Sequence, residues 1–196
     1  MKRTDAVDNL LGLLRADPPF VAWAKGQSSL DAAWDACPDP AWMLWLLGTL
    51  EYEGRAQLRR FAIACAQRVI PMLPAECAEA LLVAQSVAKG ALPEPALHEA
   101  YRKARRQAES LATAPGFREG VAAAALAAAA AVRARPIDAA TEASREALRA
   151  LAWTPGASVK DEIAWQRDEL RRSVHGTTGP AFERARSRGR GRLSMV

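Results

Sequence analysis

The 196 residues are half hydrophobic, but alanine supplies much of that half and aromatics are only 6%, so the apolar content favours helices and excludes a strand-rich fold. The formal charge of +5 lies at one end: residues 177–196 carry five arginines against Glu183, whereas residues 1–176 hold 22 basic and 21 acidic side chains. A nearly neutral body gives no ground for nucleic-acid mimicry, and three cysteines (Cys37, Cys65, Cys77) without a C-x-x-C pair argue against a disulfide framework or a zinc site.

The N-terminus holds two basic and two acidic residues within its first eight and no apolar h-region, so it does not read as a signal peptide, and a cytoplasmic location is expected. Residues 4–15 read as a short helix with Val7, Leu10, Leu11 and Leu14 at helical spacing, stopped by Asp17-Pro18-Pro19. Phe20 to Lys25 makes a further helical turn, ended by Gly26. Ser28 with Asp31 three residues on marks the start of a helix to about Ala36, with Leu30, Ala33, Trp34 and Cys37 along one side.

In Cys37-Pro38-Asp39-Pro40, Asp39 is a suitable N-cap and Pro40 falls at the first helical position, where its missing N–H costs nothing. From Trp42 to Leu50 the helix is apolar nearly all round. About eleven residues are too few for the ~20 that a bilayer span requires, so this segment is expected to be the buried centre of the N-terminal half.

A helix over about 53–70 should turn Leu58, Phe61, Ala62, Cys65, Val69 and Ile70 inward and Arg55, Arg59, Arg60 and Arg68 outward. Pro71 and Pro74 break the chain. Ala75 to Lys89 is the next helix, with Leu81 and Leu82 in its middle and Gly90 as its cap. Glu94 to about Ala114 follows, with Leu97, Tyr101, Ala104, Ala108 and Leu111 inward. After Pro115-Gly116, the run from Val121 to Val132 is one leucine and two valines in alanine. Small residues on every face let neighbouring helices approach closely, which places this run inside a bundle. Asp138 to Ala152 and Ser158 to His175 complete the helices, the last anchored by Val159, Ile163, Trp165, Leu170 and Val174. From Gly176 apolar periodicity ends, and Gly, Ser, Thr and Arg give the composition of a disordered tail.

These elements predict an all-α fold: a single-domain multi-helix bundle, or stacked helical pairs, over 1–176, with a disordered basic tail over 177–196. No catalytic, cofactor or metal constellation emerges. Asp31, Asp35, Asp39, Glu51 and Glu53 read as a cap, helix ends and solvated charges; His98 and His175 read as surface histidines with no ligand at i+4. There is neither a G-x-S-x-G elbow nor a glycine-rich phosphate loop. The tryptophans Trp23, Trp34, Trp42 and Trp45 read as core, with Trp23 or Trp42 the best candidates to reach the surface. Arg184, Arg186, Arg188, Arg190 and Arg192 are the candidate nucleic-acid contacts, acting on phosphate through charge.

The block Ala33 to Gly48, with Trp34, Cys37, Trp42, Trp45 and Leu46, resembles a recurring block in bacterial immunity proteins of the immunity-five-like group. There a tryptophan precedes a cysteine, a short turn, and a Trp-x-Leu-Trp-Leu-like helix. Arg59, Ala62 and Cys65, the alanine/arginine-rich helices and Glu162 to Leu170 follow a similar pattern, and Pro40 and the tail depart from it. The resemblance implies a non-enzymatic cytoplasmic protein that neutralises a cognate protein toxin by binding it, without cofactors or a membrane, the block residues being structural. The alternative is a helical scaffold or regulatory module whose arginine tail contacts nucleic acid.

Overall fold

A computed structural model describes residues 18–114, 118–175, 177–179 and 183. The helix expected over 4–15 and the tail arginines Arg184 to Arg192 lie outside the described residues. Among those described, every regular element is helical and no strand occurs. The described residues fall into two compact units, one of those up to Glu53 together with those from His175 onward, the other of those within Gly54–Val174.

The first unit holds α1 (Pro18–Ala24), α2 (Leu30–Ala36) and α3 (Pro40–Thr49). Ser29, one residue later than expected, caps α2 by accepting from the Ala32 N–H at 3.1 Å. The expected side of α2 is buried: Leu30, Ala33, Trp34 and the following Cys37. Asp39 caps α3 through the Ala41 N–H at 2.8 Å, with Pro40 at the first helical position. Met43, Leu44, Leu46, Leu47 and Leu50 are buried, but Ala41 and Gly48 are exposed and Trp42 and Trp45 are only half-buried. The segment is therefore not enclosed on every side: its leucines and methionine make core and its two tryptophans lie at the rim. The helix ends where Glu51 takes a left-handed φ of 51° and the Tyr52 N–H closes on the Leu47 carbonyl at 2.9 Å.

The second unit comprises α4 (Arg55–Gln67), a 3₁₀ turn (Ile70–Met72), α5 (Ala75–Ala88), α6 (Ala96–Thr113), α7 (Glu119–Ala131), α8 (Pro136–Ala152) and α9 (Val159–Val174). The alanine helix α7 is its hub, packed against α4, α5, α6, α8 and the 3₁₀ turn. Ala122 to Ala125 and Ala127 to Ala131 are all buried, whereas the two bulkier side chains, Val121 and Leu126, are half-buried. Bulk is thus placed where there is room and alanine where neighbouring backbones come close. Facing it, α8 buries Ala139, Ala140, Ala143, Ala147 and Ala150.

Two orientations, those of Ile70 and Arg59, differ from expectation. Ile70 falls in the 3₁₀ turn after α4 has ended and is 48% exposed. Leu82 points outward from α5 at 62% exposure. Arg59, expected on the solvent side of α4, is buried, and its guanidinium donates to the carbonyls of Ala131 (2.9 Å), Arg133 and Ala134 (3.2 Å). These groups close the C-terminal end of α7, where helix carbonyls lack partners and the macrodipole favours a cation. Gly90 ends α5 with φ +75°, as its expected capping role requires.

Candidate functional site

Helices α1 and α3 bring four rings together in the first unit. Phe20 is buried at the centre, with ring centroids 6.0 Å from Trp23, 5.2 Å from Trp42 and 5.1 Å from Trp45; Trp23 lies 5.7 Å from Trp42. The Phe20–Trp23 pair is stacked and the Phe20–Trp45 pair meets edge-on, arrangements worth about 0.5–1.5 kcal/mol each beyond area burial. At these distances the rings pack against one another. What remains is a ledge of three half-buried indoles, Trp23, Trp42 and Trp45, resting on one phenylalanine.

The other residues of the block lie behind this ledge. Trp34 and Leu46 are buried, and the buried Cys37 donates its thiol to the Asp39 carbonyl at 3.4 Å, tying the turn between α2 and α3. The sequence singled out these five positions as a group. The structure separates them into three that pack (Trp34, Cys37, Leu46) and two at the rim (Trp42, Trp45). Phe20 was missed as the centre of the cluster. Its signal was its position three residues before Trp23 on one helical face.

In the second unit the polar groups are chiefly paired. Arg55 bridges to Glu94 at 3.0 Å, Lys103 to Glu79, Arg105 to Glu109 at 2.8 Å, Arg133 to Glu142, and Arg149 to Glu146 at 2.9 Å. Basic side chains neutralised in this way make a poor track for phosphates. A groove of about 320 Å³ between α5 and α6 is lined by Glu76, Glu79, Glu99 and Lys103 with alanines and Val83. A hollow of about 510 Å³ is lined by Met72, Arg118 to Val121 and Trp153, whose indole is 60% exposed. Neither has a nucleophile beside a base. Among the described residues no group of three His, Cys, Asp or Glu could hold a metal, and His98 and His175 are exposed.

All three cysteines are buried. Burial, with the Glu76 carboxylate adding to it, pushes the Cys77 thiol from 9.0 up to about 11. The unfolded chain therefore ionises first, so this group's contribution to stability is intact below pH 9 and falls away as pH rises from 9 to about 11. Urea melts of the wild type and Cys77→Ala should show a shallower alkaline decline for the variant over that window; parallel declines would contradict the assignment.

Fold and site together define an all-α protein with a tryptophan ledge. No helix among the described residues is long and apolar enough to cross a membrane. Compared with known proteins, the chain matches no protein-family profile, no curated protein and no solved structure.

Proposed function

We propose that this protein binds and neutralises a cognate protein toxin in the cytoplasm, as its resemblance to immunity proteins implies, and that it does so without chemistry of its own. The observation that carries the reading is the ledge of half-buried Trp23, Trp42 and Trp45 over Phe20. Tryptophan is enriched at the energetic centres of protein interfaces, because a large rigid ring with one face already packed orders little on binding. Rings already held by Phe20 have lost most of their rotamer freedom before a partner arrives, so less of the binding energy is spent on ordering them.

The direct experiment is to express the products of the genes beside this one, each with and without the protein. Survival with the protein and death without it, together with co-purification, is the expected result; unprotected cells and no complex would overturn the proposal. Trp42→Ala should weaken the complex by about 30-fold or more, the scale of a hot-spot residue, while leaving the thermal midpoint within a few degrees. An unchanged affinity would remove the ledge from the interface.

A further inference from the structure

Helix α9 is built differently from the helices beside it. Its buried seam runs at every fourth residue, Glu162, Gln166, Leu170 and Val174, and it packs on α4 and α8. The C-terminal half of that seam is apolar. The N-terminal half consists of a carboxylate and an amide, and their bonds form a connected set. Glu162 accepts from Arg68 Nε at 3.0 Å and from Gln166 Nε2 at 3.2 Å. Gln166 in turn donates to the Ser144 carbonyl at 3.2 Å and accepts from the Ser144 hydroxyl at 2.5 Å.

The set has one wet end. Glu162 is 1% exposed at its side chain, but Arg68, just past the end of α4, is 47% exposed and lies 4.7 Å above the Trp165 ring. The physics of such a seam is lopsided. When an apolar helix face undocks, it loses the full transfer energy of its side chains. When this face undocks, water replaces each hydrogen bond, whose net worth is about 1 kcal/mol between neutral groups and about 1.5–3 kcal/mol to the carboxylate, and the released carboxylate regains its hydration. The set therefore fixes the register of α9 more than it adds to its hold. The fully buried Cys65 of α4, the helix on which α9 packs, stands three residues before Arg68; burial first, then the Glu162 and Glu169 carboxylates, push its thiol well up.

We propose that the N-terminal half of α9 is a strap that opens as a local unit, hinged on Leu170 and Val174, with the Arg68–Glu162 pair as its catch. Opening releases a half-helix whose fully buried side chains are polar, its Val159, Ile163 and Trp165 being only half-buried, while the apolar end stays docked, and it gives solvent access to Cys65 without unfolding the alanine core. This device does not depend on the toxin-binding reading.

Cys65 and Cys77 provide the test in the full chain, since both are fully buried and Cys65 lies on α4, against which α9 packs, whereas Cys77 lies on α5. Thiol labelling resolved by peptide mass should modify Cys65 faster than Cys77 in the wild-type protein. The Cys65 rate should also depend only weakly on urea, because a local opening exposes little surface. Arg68→Ala should raise the Cys65-to-Cys77 rate ratio about tenfold, whereas Glu162→Leu combined with Gln166→Leu should collapse it toward one. Equal, steeply urea-dependent rates for both thiols in the wild type would show that α9 leaves only on global unfolding and would overturn the proposal.

Discussion

Arg59→Ala is expected to lower the unfolding free energy by about 3 kcal/mol, a fall of about 6–12 °C in the thermal midpoint of a chain this size. The side chain is buried and serves three carbonyls at the C-terminal end of α7. Two terms oppose one another. Burial penalises the guanidinium charge, and desolvation is the main reason that its pKa is lowered. Against this stand three charge-assisted bonds to carbonyls that the helix cannot satisfy itself, and the favourable placing of a cation at the negative end of the dipole. Truncation removes the charge and its cost together, yet it leaves the Ala131 carbonyl unpartnered in the interior, at about 1–3 kcal/mol, and empties the space of a long aliphatic stem. Arg59→Lys separates the contributions. A single ammonium cannot reproduce the planar fork that reaches three acceptors, so it should recover about half of the loss. Chemical denaturation of the three proteins checks this order; a wild-type-like Arg59→Ala would mean that water replaces the guanidinium at no cost.

The helical class was legible because it follows from local chemistry. The Asp39-Pro40 start, the glycine after α5 and the period of apolar residues in α6 each act within a few residues, and the folded chain keeps them. Which helix lies at the centre was legible only in part. Hydrophobicity pointed to the tryptophan helix α3, yet the hub of the larger unit is the alanine helix α7. A central position requires close approach as well as apolarity, and α7 has the smaller side chains.

Arg59 was misread, and Glu162 passed over, for one shared reason. Each is charged and stands among other charges in sequence, Arg59 between Arg55 and Arg60, Glu162 beside Asp161, so each looked like part of a solvated face. Spacing held the contrary signal. Arg59 continues the stripe of Ala62, Ile63 and Ala66, and Glu162 stands eight residues before Leu170 in the seam of α9. What the sequence could not supply was the partner: for Arg59 the carbonyls at the end of α7, 72 to 75 residues away, and for Glu162 the Arg68 guanidinium, 94 residues away. The ring ledge was half legible. Its tryptophans were singled out, but which of them lie at the rim depends on how α1 meets α3.

Ala128→Leu, in the C-terminal half of α7, should destabilise the protein by about 3 kcal/mol, at the upper end of overpacking costs. The comparison that gives the number meaning is Ala128→Gly. If α7 were alanine-rich only because alanine forms helices well, leucine would be nearly neutral, since its propensity is close to alanine's, and glycine would cost about 1 kcal/mol. If alanine is there because α4, α5, α6 and α8 crowd the helix, the order reverses. Leucine must then force the surrounding backbones apart, while glycine leaves only a methyl-sized void and its propensity cost. The fully buried Ala128 and the half-buried Leu126, two residues apart on one helix, favour the second account. Urea denaturation of the two variants decides between them: leucine worse than glycine is the expected result, and leucine milder than glycine would make the hub a matter of propensity alone.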